Sequence, residues 1–143
     1  MRGITKKQKE AIFERAGGCC EYCLSLASFS SQPFSIEHIH PQHLGGGSDL
    51  DNLALSCQGC NGHKGTRTEW RDPATRNIVP LYNPRQQRWD DHFSWEDDFS
   101  IVIGITPTGR ATIEVLHLNR EGVVNLRRAL RQIGVHPPAL TER

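Results

Sequence analysis

Two Cys-x-x-Cys pairs constrain this chain more than any other feature of its sequence. Cys20 and Cys23 form the first pair, and Cys57 and Cys60 form the second. Four thiolates supplied in this way are typical of a closed tetrahedral zinc site, which holds a small fold together and has no open coordination position. A thioredoxin-like redox pair is the competing interpretation, but that motif usually stands alone beside a βαβ unit. We therefore predict a four-cysteine structural zinc.

The fifth cysteine, the N-terminal sequence and the chain length limit which class of protein this can be. We expect Cys19 to be a small buried hydrophobe, although a different register would let it replace Cys20. The odd number of cysteines and an N-terminus without an apolar signal stretch argue against a secreted protein, so we expect a cytoplasmic location. No apolar run approaches the roughly 18–20 residues of a membrane span. The 143 residues suit a modest core that a metal would reinforce.

Charge gives little information about partners. The net charge of +1 provides no overall basic footprint for nucleic acid. Basic residues are concentrated in residues 64–88, where one lysine and five arginines face only one glutamate and one aspartate. This basic band can contact phosphates, but a solvated surface of mixed charge explains it equally well.

Short strands and helices are predicted in residues 1–70, which we expect to form a first domain. A capping box at Thr5 and Gln8 opens a helix that ends at two glycines. Residues 34–38 alternate as a short strand, and residues 53–56 form a second one. A helix is predicted to follow over residues 58–70.

Residues 71–143 are predicted to form a C-terminal extension packed on that domain. Prolines break the stretch from Asp72 to Trp89. Alternating apolar residues in 99–105 and 110–117, joined by a turn, predict a β-hairpin. A helix capped by Asn119 is expected after it, with its apolar positions on one face. The whole chain is therefore predicted to be α+β.

A second group of chemistry-bearing residues lies between the cysteine pairs. Glu37 offers a hard carboxylate ligand suited to Mg²⁺ or Mn²⁺. The adjacent His38 is of the residue type that takes a proton from water near neutral pH. Neighbours on a strand point to opposite faces, so both serve one site only if the backbone bends or if the metal lies at the end of the strand, where Pro41 and the glycines follow. Alone, this dipeptide is weak evidence.

Two asparagines and a lysine extend the group. Asn52 can hydrogen-bond backbone groups on both sides of its loop and fix the orientation of His38, unless it is an ordinary turn asparagine. Asn61, at the start of the predicted helix, faces the first strand and can supply a second metal ligand, with His63 as the alternative. Lys64 can pair with a phosphate as a point charge.

Taken in order, these motifs resemble the HNH endonucleases with the ββα-metal, or His-Me finger, fold, in particular small stand-alone bacterial members with a four-cysteine zinc site. The resemblance covers roughly residues 15–67. It rests on several independent motifs: Cys20-x-x-Cys23, Glu37-His38-Ile39-x-Pro41, Gly-Gly-Ser before Asn52-Leu53, and Cys57-x-x-Cys60-Asn61-x-x-Lys64.

The resemblance implies a DNA endonuclease with two kinds of metal. Glu37 and Asn61 would hold one divalent ion, Mg²⁺ or Mn²⁺, and His38 would act as the general base. Asn52 would position the loop, and the four cysteines would hold a structural zinc. The expected core is therefore a ββα-metal nuclease fold, preceded by an N-terminal helix and followed by the C-terminal hairpin and helix.

Two positions depart from the usual pattern of the family. Glu37 stands where aspartate is usual, and its extra methylene changes the reach to the metal. Asn61 stands where many members have histidine; an amide oxygen is a weaker ligand than an imidazole, yet it suits a hard metal. In the basic band, Lys64 and Arg67 are expected to contact backbone phosphate, which carries no sequence information.

Two other functions remain open at this point. A non-catalytic, zinc-stapled nucleic-acid-binding module explains the cysteines and the basic residues, but leaves Glu37, His38, Asn52 and Asn61 as coincidences. An interaction domain with a decayed nuclease site is the third interpretation, and Glu37 motivates it. Cleavage that depends on a divalent metal separates the first function from the other two. The sequence predicts neither the specificity of cleavage nor the oligomeric state.

Overall fold

The computed structural model describes residues 3–140 and has the predicted α+β class. The helices of this part of the chain are α1 (Lys6–Arg15), α2 (Gln58–Lys64), α3 (Trp89–His92), α4 (Pro107–Leu116) and α5 (Glu121–Gln132). The strands are β1 (Ser35–His38), β2 (Leu53–Ser56), β3 (Glu69–Arg71), β4 (Ile78–Pro80), β5 (Phe93–Trp95) and β6 (Val102–Gly104). They pair as three antiparallel hairpins, β1 with β2, β3 with β4 and β5 with β6.

The first hairpin and the helix after it form a ββα unit. In the hairpin, Glu37 lies opposite Ala54 and His38 lies opposite Leu53. All four residues of β2 are buried, and α2 begins two residues after that strand ends. The loop between β1 and β2 contains two short 3₁₀ turns. The order predicted from the sequence, strand, loop, strand and helix, is confirmed.

Helix α1 braces this unit from one side. Its capping box is present as predicted, because the Thr5 hydroxyl accepts a hydrogen bond from the amide of Gln8 while the Gln8 side chain accepts one from the amide of Thr5. Ile12 packs with Leu53 and Leu55 of β2 in a small buried cluster. The Gln8 side chain also donates to the carbonyl of Ser48 at 3.1 Å. The N-terminal helix therefore holds both β2 and the loop before it.

Helix α2 is shorter than predicted. It ends at Lys64 because Gly65 adopts a left-handed backbone angle, with φ of 56°, a conformation that glycine reaches without a Cβ penalty. The prediction that this helix continues to Trp70 is wrong. Trp70 instead lies in β3 and pairs with Val79 of β4.

The prediction that residues 110–117 form a strand is also wrong, because residues 110–116 belong to α4 and His117 is the C-cap of that helix. Thr106 caps that helix by accepting a hydrogen bond from the amide of Gly109 at 3.0 Å, and Pro107 suits the first turn. Ala111 and Val115, four residues apart, are both buried. Those two residues match a helical spacing as well as an alternating one, and the cap decides between them. Strand β6 pairs instead with β5, which precedes it.

The prediction that Asn119 is the N-cap of α5 is wrong, because Arg120 occupies that position. The Asn119 side chain accepts from the amide of Val102 at 2.7 Å and donates to the carbonyl of the same residue at 2.8 Å. The Asn119 side chain therefore pairs with the backbone of the first residue of β6 instead of capping a helix.

The largest buried cluster draws residues from both predicted domains. It contains the two cysteine pairs together with Tyr22, Tyr82, Trp89, Phe93 and Val115, among others. The boundary between a core of residues 1–70 and an extension of residues 71–143 stays a prediction. Within residues 3–140, no helix combines the length and the apolar composition that crossing a membrane requires.

A buried ion pair fastens the β3–β4 hairpin to α4. Asp72 is fully buried, and its two carboxylate oxygens accept from the Nε and Nη2 of Arg110 at 2.9 and 3.0 Å. The Thr75 hydroxyl donates to the same carboxylate at 2.7 Å. The hydrogen bonds from Arg110 hold the pKa of Asp72 well below its usual range. Such bidentate, charge-assisted bonds are among the stronger ones in proteins.

We expect Asp72→Asn to lower stability at neutral pH and to flatten the acid limb of the stability curve. A carboxylate with a depressed folded-state pKa stabilises the fold above its unfolded-state pKa of about 3.9, and this contribution is lost as the pH falls below that value. Thermal unfolding midpoints measured from pH 7 to pH 2 test this. The exposed Asp97→Asn serves as the control, and parallel curves for wild type and Asp72→Asn would contradict the expectation.

Candidate active site and cysteine cluster

The two cysteine pairs converge as predicted. Their four sulfur atoms lie within 4.8 Å of one another and all four residues are buried. The Sγ atoms of Cys23 and Cys57 are 3.7 Å apart. Cys57 is the N-cap of α2 and accepts from the amide of Cys60 at 3.4 Å. Cys19 lies outside the cluster, with its Sγ 3.6 Å from the carbonyl oxygen of Gly17.

The donor set of the cluster fits a structural zinc. The pKa of Cys57 is lowered to about 7, chiefly by its hydrogen bond with Cys20, whereas burial raises the pKa of Cys20 itself. Sharing of protons among packed thiols therefore favours ionisation at some positions and opposes it at others. A bound Zn²⁺ removes this conflict because it takes all its cysteine ligands as thiolates. The sequence-based zinc prediction and the geometry agree.

A separate cleft of about 410 Å³ brings three of the predicted nuclease residues together, whereas Asn52, Lys64 and Arg67 are not among its lining residues. Glu37 and His38 reach it from β1, and Asn61 reaches it from α2. Its lining residues are Ile36, Glu37, His38, Pro41, Gln42, His43, Asn61, Gly65 and Thr66. His43 is a member that sequence reasoning missed, since a lone loop histidine carries no motif.

Glu37, which lines this cleft, has one carboxylate oxygen with hydrogen-bond partners and one without any in the described part of the chain. The side chain is only 4% exposed. Its Oε1 accepts from the hydroxyl of Tyr22 at 3.1 Å and lies 2.5 Å from the Nζ of Lys64. Its Oε2 is buried and has no hydrogen-bond partner among residues 3–140. Burial raises the pKa of Glu37, and Lys64 and Tyr22 oppose that shift.

An unpartnered buried carboxylate oxygen fits a site for a hard cation. Leaving such an oxygen without a partner is costly, and a divalent ion would satisfy it. The side-chain amide oxygen of Asn61 is also a hard oxygen ligand, and Glu37 and Asn61 line the same cleft. The side chains of Glu37 and Asn61 therefore suit Mg²⁺ or Mn²⁺ better than a soft metal.

Lys64, which the sequence predicted to pair with a phosphate, is buried. It is 2% exposed, and its Nζ lies on Glu37 and donates to the carbonyl of Ile39 at 3.2 Å. Arg67, the other predicted phosphate contact, is exposed. Its guanidinium lies 5.4 Å from the ring centroid of Trp70 and donates to the carbonyl of His63 at 3.2 Å.

Asn52 spans the loop between β1 and β2 with three hydrogen bonds. Its Oδ1 accepts from the amide of His40 at 2.9 Å, and its Nδ2 donates to the carbonyls of His40 and Gly47 at 3.0 and 2.8 Å. A Cβ at Gly46 would overlap the carbonyl oxygen of His40, so the loop closes tightly around this amide. The sequence predicted bonds to both sides of the loop, and they are present.

Ser48 connects that loop to the histidine of the cleft. Its hydroxyl lies 2.9 Å from the Nε2 of His38, and it directly follows Gly47, whose carbonyl Asn52 holds. Ser48 belongs to the Gly-Gly-Ser motif of the sequence, but no role for its hydroxyl was predicted. A hydroxyl placed between the glycines and the asparagine was the signal that this loop also orients a side chain.

His63, the alternative metal ligand, does not line the cleft. It packs on His117 with a distance of 4.4 Å between the ring centroids. His63 is exposed, and burial together with the nearby charges of His117 and Arg120 lowers its pKa. Of the two candidates proposed for the second ligand position, only Asn61 shares the cleft with Glu37.

Comparison with known proteins places these features in a family context. Residues 20–67 match the family model of the HNH endonucleases. The chain is similar to the Septu protein PtuB of Bacillus thuringiensis, with 29% identity over 115 residues. That alignment covers 78% of this chain and 41% of the relative, so the chain spans less than half of the relative's length. No solved structure matches the chain.

Proposed function

We propose that this protein is a metal-dependent endonuclease that hydrolyses phosphodiester bonds in DNA, and the match of residues 20–67 to the HNH endonuclease family model supports this. The observation that carries the proposal is the cleft shared by Glu37, His38 and Asn61. It combines a general base with two hard oxygen ligands, one of which is a buried carboxylate with an unpartnered atom. A purely structural zinc module has no need of this arrangement.

Each residue of the cleft has a separate task in the proposed hydrolysis. His38 takes a proton from the water that attacks the phosphorus. Ser48 holds the imidazole from one side, and Asn52 holds the backbone that carries Ser48. Glu37 and Asn61 would hold the divalent ion, which would stabilise the charge on the scissile phosphate and on the leaving 3′-oxygen.

The two basic residues of the site have different proposed roles. Lys64 is buried against Glu37, so its ammonium compensates a carboxylate that would otherwise be a buried, unpaired charge. Arg67 is exposed one turn beyond the end of α2, where its guanidinium suits a backbone phosphate of DNA. The direct phosphate contact therefore belongs to Arg67 in this proposal.

Cleavage of supercoiled plasmid tests the function directly. The zinc-loaded protein is incubated with Mg²⁺, with Mn²⁺, or with EDTA for a time too short to remove zinc, and the zinc content is measured afterwards. Nicked or linear product that requires the added ion supports the proposal. Salt-dependent DNA binding without product in any metal would instead favour the non-catalytic nucleic-acid-binding module.

We expect Glu37→Gln to weaken binding of the catalytic ion and to cut cleavage by at least tenfold. The amide keeps the shape of the side chain but loses the charge that attracts a hard cation. The binding of Mn²⁺ by zinc-loaded protein, measured by calorimetry, separates this effect from general damage. Unchanged Mn²⁺ affinity in Glu37→Gln would contradict the ligand assignment.

The buried lysine supplies the control for that experiment. Glu37→Gln leaves the ammonium of Lys64 buried without its partner, and breaking a buried ion pair in this way typically costs about 3–5 kcal/mol. The double variant Glu37→Gln with Lys64→Met removes both charges. We expect it to recover thermal stability but neither Mn²⁺ binding nor cleavage, which would show that the ligand role of Glu37 is distinct from its structural one.

A further inference from the structure

The C-terminal half of the chain sends an arginine into the cysteine cluster. The Nη2 of Arg120 donates to the Sγ of Cys57 at 3.4 Å and to that of Cys60 at 3.7 Å, and its Nη1 donates to Cys60 at 3.6 Å. The same Nη1 donates to the carbonyls of Leu116 and His117 at 3.3 and 3.1 Å. The guanidinium is thus fixed between the end of α4 and the second cysteine pair.

Gly59, one of the two residues between those cysteines, leaves room for the guanidinium. Gly59 lies within α2, and it is not among the glycines with a positive φ, so the backbone does not require glycine there. A Cβ at this position would lie 2.5 Å from the Nη2 and 2.9 Å from the Cζ of Arg120. The absence of a side chain at Gly59 therefore leaves free the space that the guanidinium occupies.

The negative charge of a four-thiolate zinc site would favour the hydrogen bonds from Arg120 to the cysteine sulfur atoms. Four thiolates around one Zn²⁺ leave an excess of two negative charges in a buried place. Hydrogen bonds from a cation to the sulfur atoms offset that excess and hold the ligands in position. Arg127, which is 2% exposed, adds a second cation nearby and donates to the carbonyl of Cys23 at 3.2 Å.

We propose that Arg120 is a positioning residue of the zinc site, through which residues beyond the HNH match retain the metal. Its guanidinium donates hydrogen bonds to the sulfur atoms of Cys57 and Cys60 and so holds these two ligands in position, and Gly59 leaves the space that the guanidinium occupies. This role is independent of the nuclease activity, since the cleft of Glu37 and His38 contributes nothing to it. It gives the segment between α4 and α5 a task that residues 20–67 do not perform for themselves.

The rate at which zinc passes to a chromogenic chelator tests the proposal on the full, zinc-loaded chain. We expect Arg120→Met to release zinc roughly 10–100-fold faster than wild type, the usual effect of losing a partner of a metal ligand. Arg120→Lys should lie in between, because it keeps the charge but not the fork of donors. The exposed Arg128→Met is the matched control and should behave as wild type. Release from folded Arg120→Met at the wild-type rate overturns the proposal.

A second variant approaches the same contact from the other side. Gly59→Ala places a methyl group where the guanidinium lies, and we expect faster zinc release from it as well. Helix propensity alone predicts the opposite, since alanine is favoured over glycine within a helix by up to about 1 kcal/mol. Combining Gly59→Ala with Arg120→Met should add little to either change alone, and full additivity would contradict the proposal. If Arg120→Met fails to fold, Gly59→Ala decides, and unchanged zinc release from it would refute the role of Arg120.

Discussion

Replacement of His38 by alanine is expected to reduce plasmid cleavage by roughly 10²–10⁴-fold, the usual contribution of a general base. The imidazole lines the cleft with Glu37 and Asn61, and its hydrogen bond to Ser48 fixes its direction. The side chain is only partly buried, so its removal leaves no large cavity in the core. Initial rates of nicking at saturating Mg²⁺ or Mn²⁺ measure the effect.

The matched control for this experiment is His63→Ala. His63 belongs to α2, as Asn61 does, but it is exposed and packs on His117 outside the cleft. We expect this variant to cleave at the wild-type rate. Both histidine variants should retain zinc and melt near the wild-type temperature. If His38→Ala nicks DNA as fast as wild type, the assignment of the general base is wrong, although the nuclease activity itself would stand.

The part of the fold that sequence reasoning predicted well is the part governed by local rules. The capping box of Thr5 and Gln8 starts α1 as expected, and the strand before Cys57 has the predicted bounds. Four cysteines converge because their spacing leaves few other outcomes in a chain of this kind. In the first two cases neighbouring residues carry the information, and in the third the information lies in the spacing within each cysteine pair.

The errors arose where a local pattern was ambiguous. The stretch containing Ala111 and Val115 fits both an alternating strand and a helix, and it forms α4 because Thr106 caps its first turn. A cap followed by Pro107 was present in the sequence, but it was interpreted as a hairpin turn. Gly65 also marks the end of α2 in the sequence, although the predicted helix extended to Trp70.

Partners far apart in the sequence were out of reach for a different reason. Lys64 lies on Glu37, and Arg120 lies on Cys57, 63 residues away from it. Periodicity and composition do not show which lysine or arginine is buried, because both types are usually exposed. Only the tertiary fold decides that Arg120 meets the cysteines while Arg128 remains in solvent. The long-range polar contacts at the cleft and at the cysteine cluster can therefore be identified only from the three-dimensional structure.

Loss of the zinc site is expected to have the largest effect on stability. Binding of structural zinc contributes about 10–16 kcal/mol in zinc-finger peptides at pH 7, whereas the net stability of a whole domain is about 5–15 kcal/mol. The cysteines lie within the main buried cluster, beside Tyr22 and Trp89. We therefore expect Cys23→Ser to lose both zinc and cooperative unfolding. Metal analysis and thermal melts measure these two effects.

Cys19 provides a control of the same residue type. It is buried four residues before Cys23, and its Sγ lies 3.6 Å from the carbonyl oxygen of Gly17 rather than in the cluster. Serine can donate to that carbonyl, so we expect Cys19→Ser to bind one zinc and melt near the wild-type temperature. If Cys23→Ser also keeps zinc and melts normally, the cluster is not the metal site that holds the fold. If Cys19→Ser loses zinc while Cys20→Ser keeps it, the ligand register is shifted by one residue.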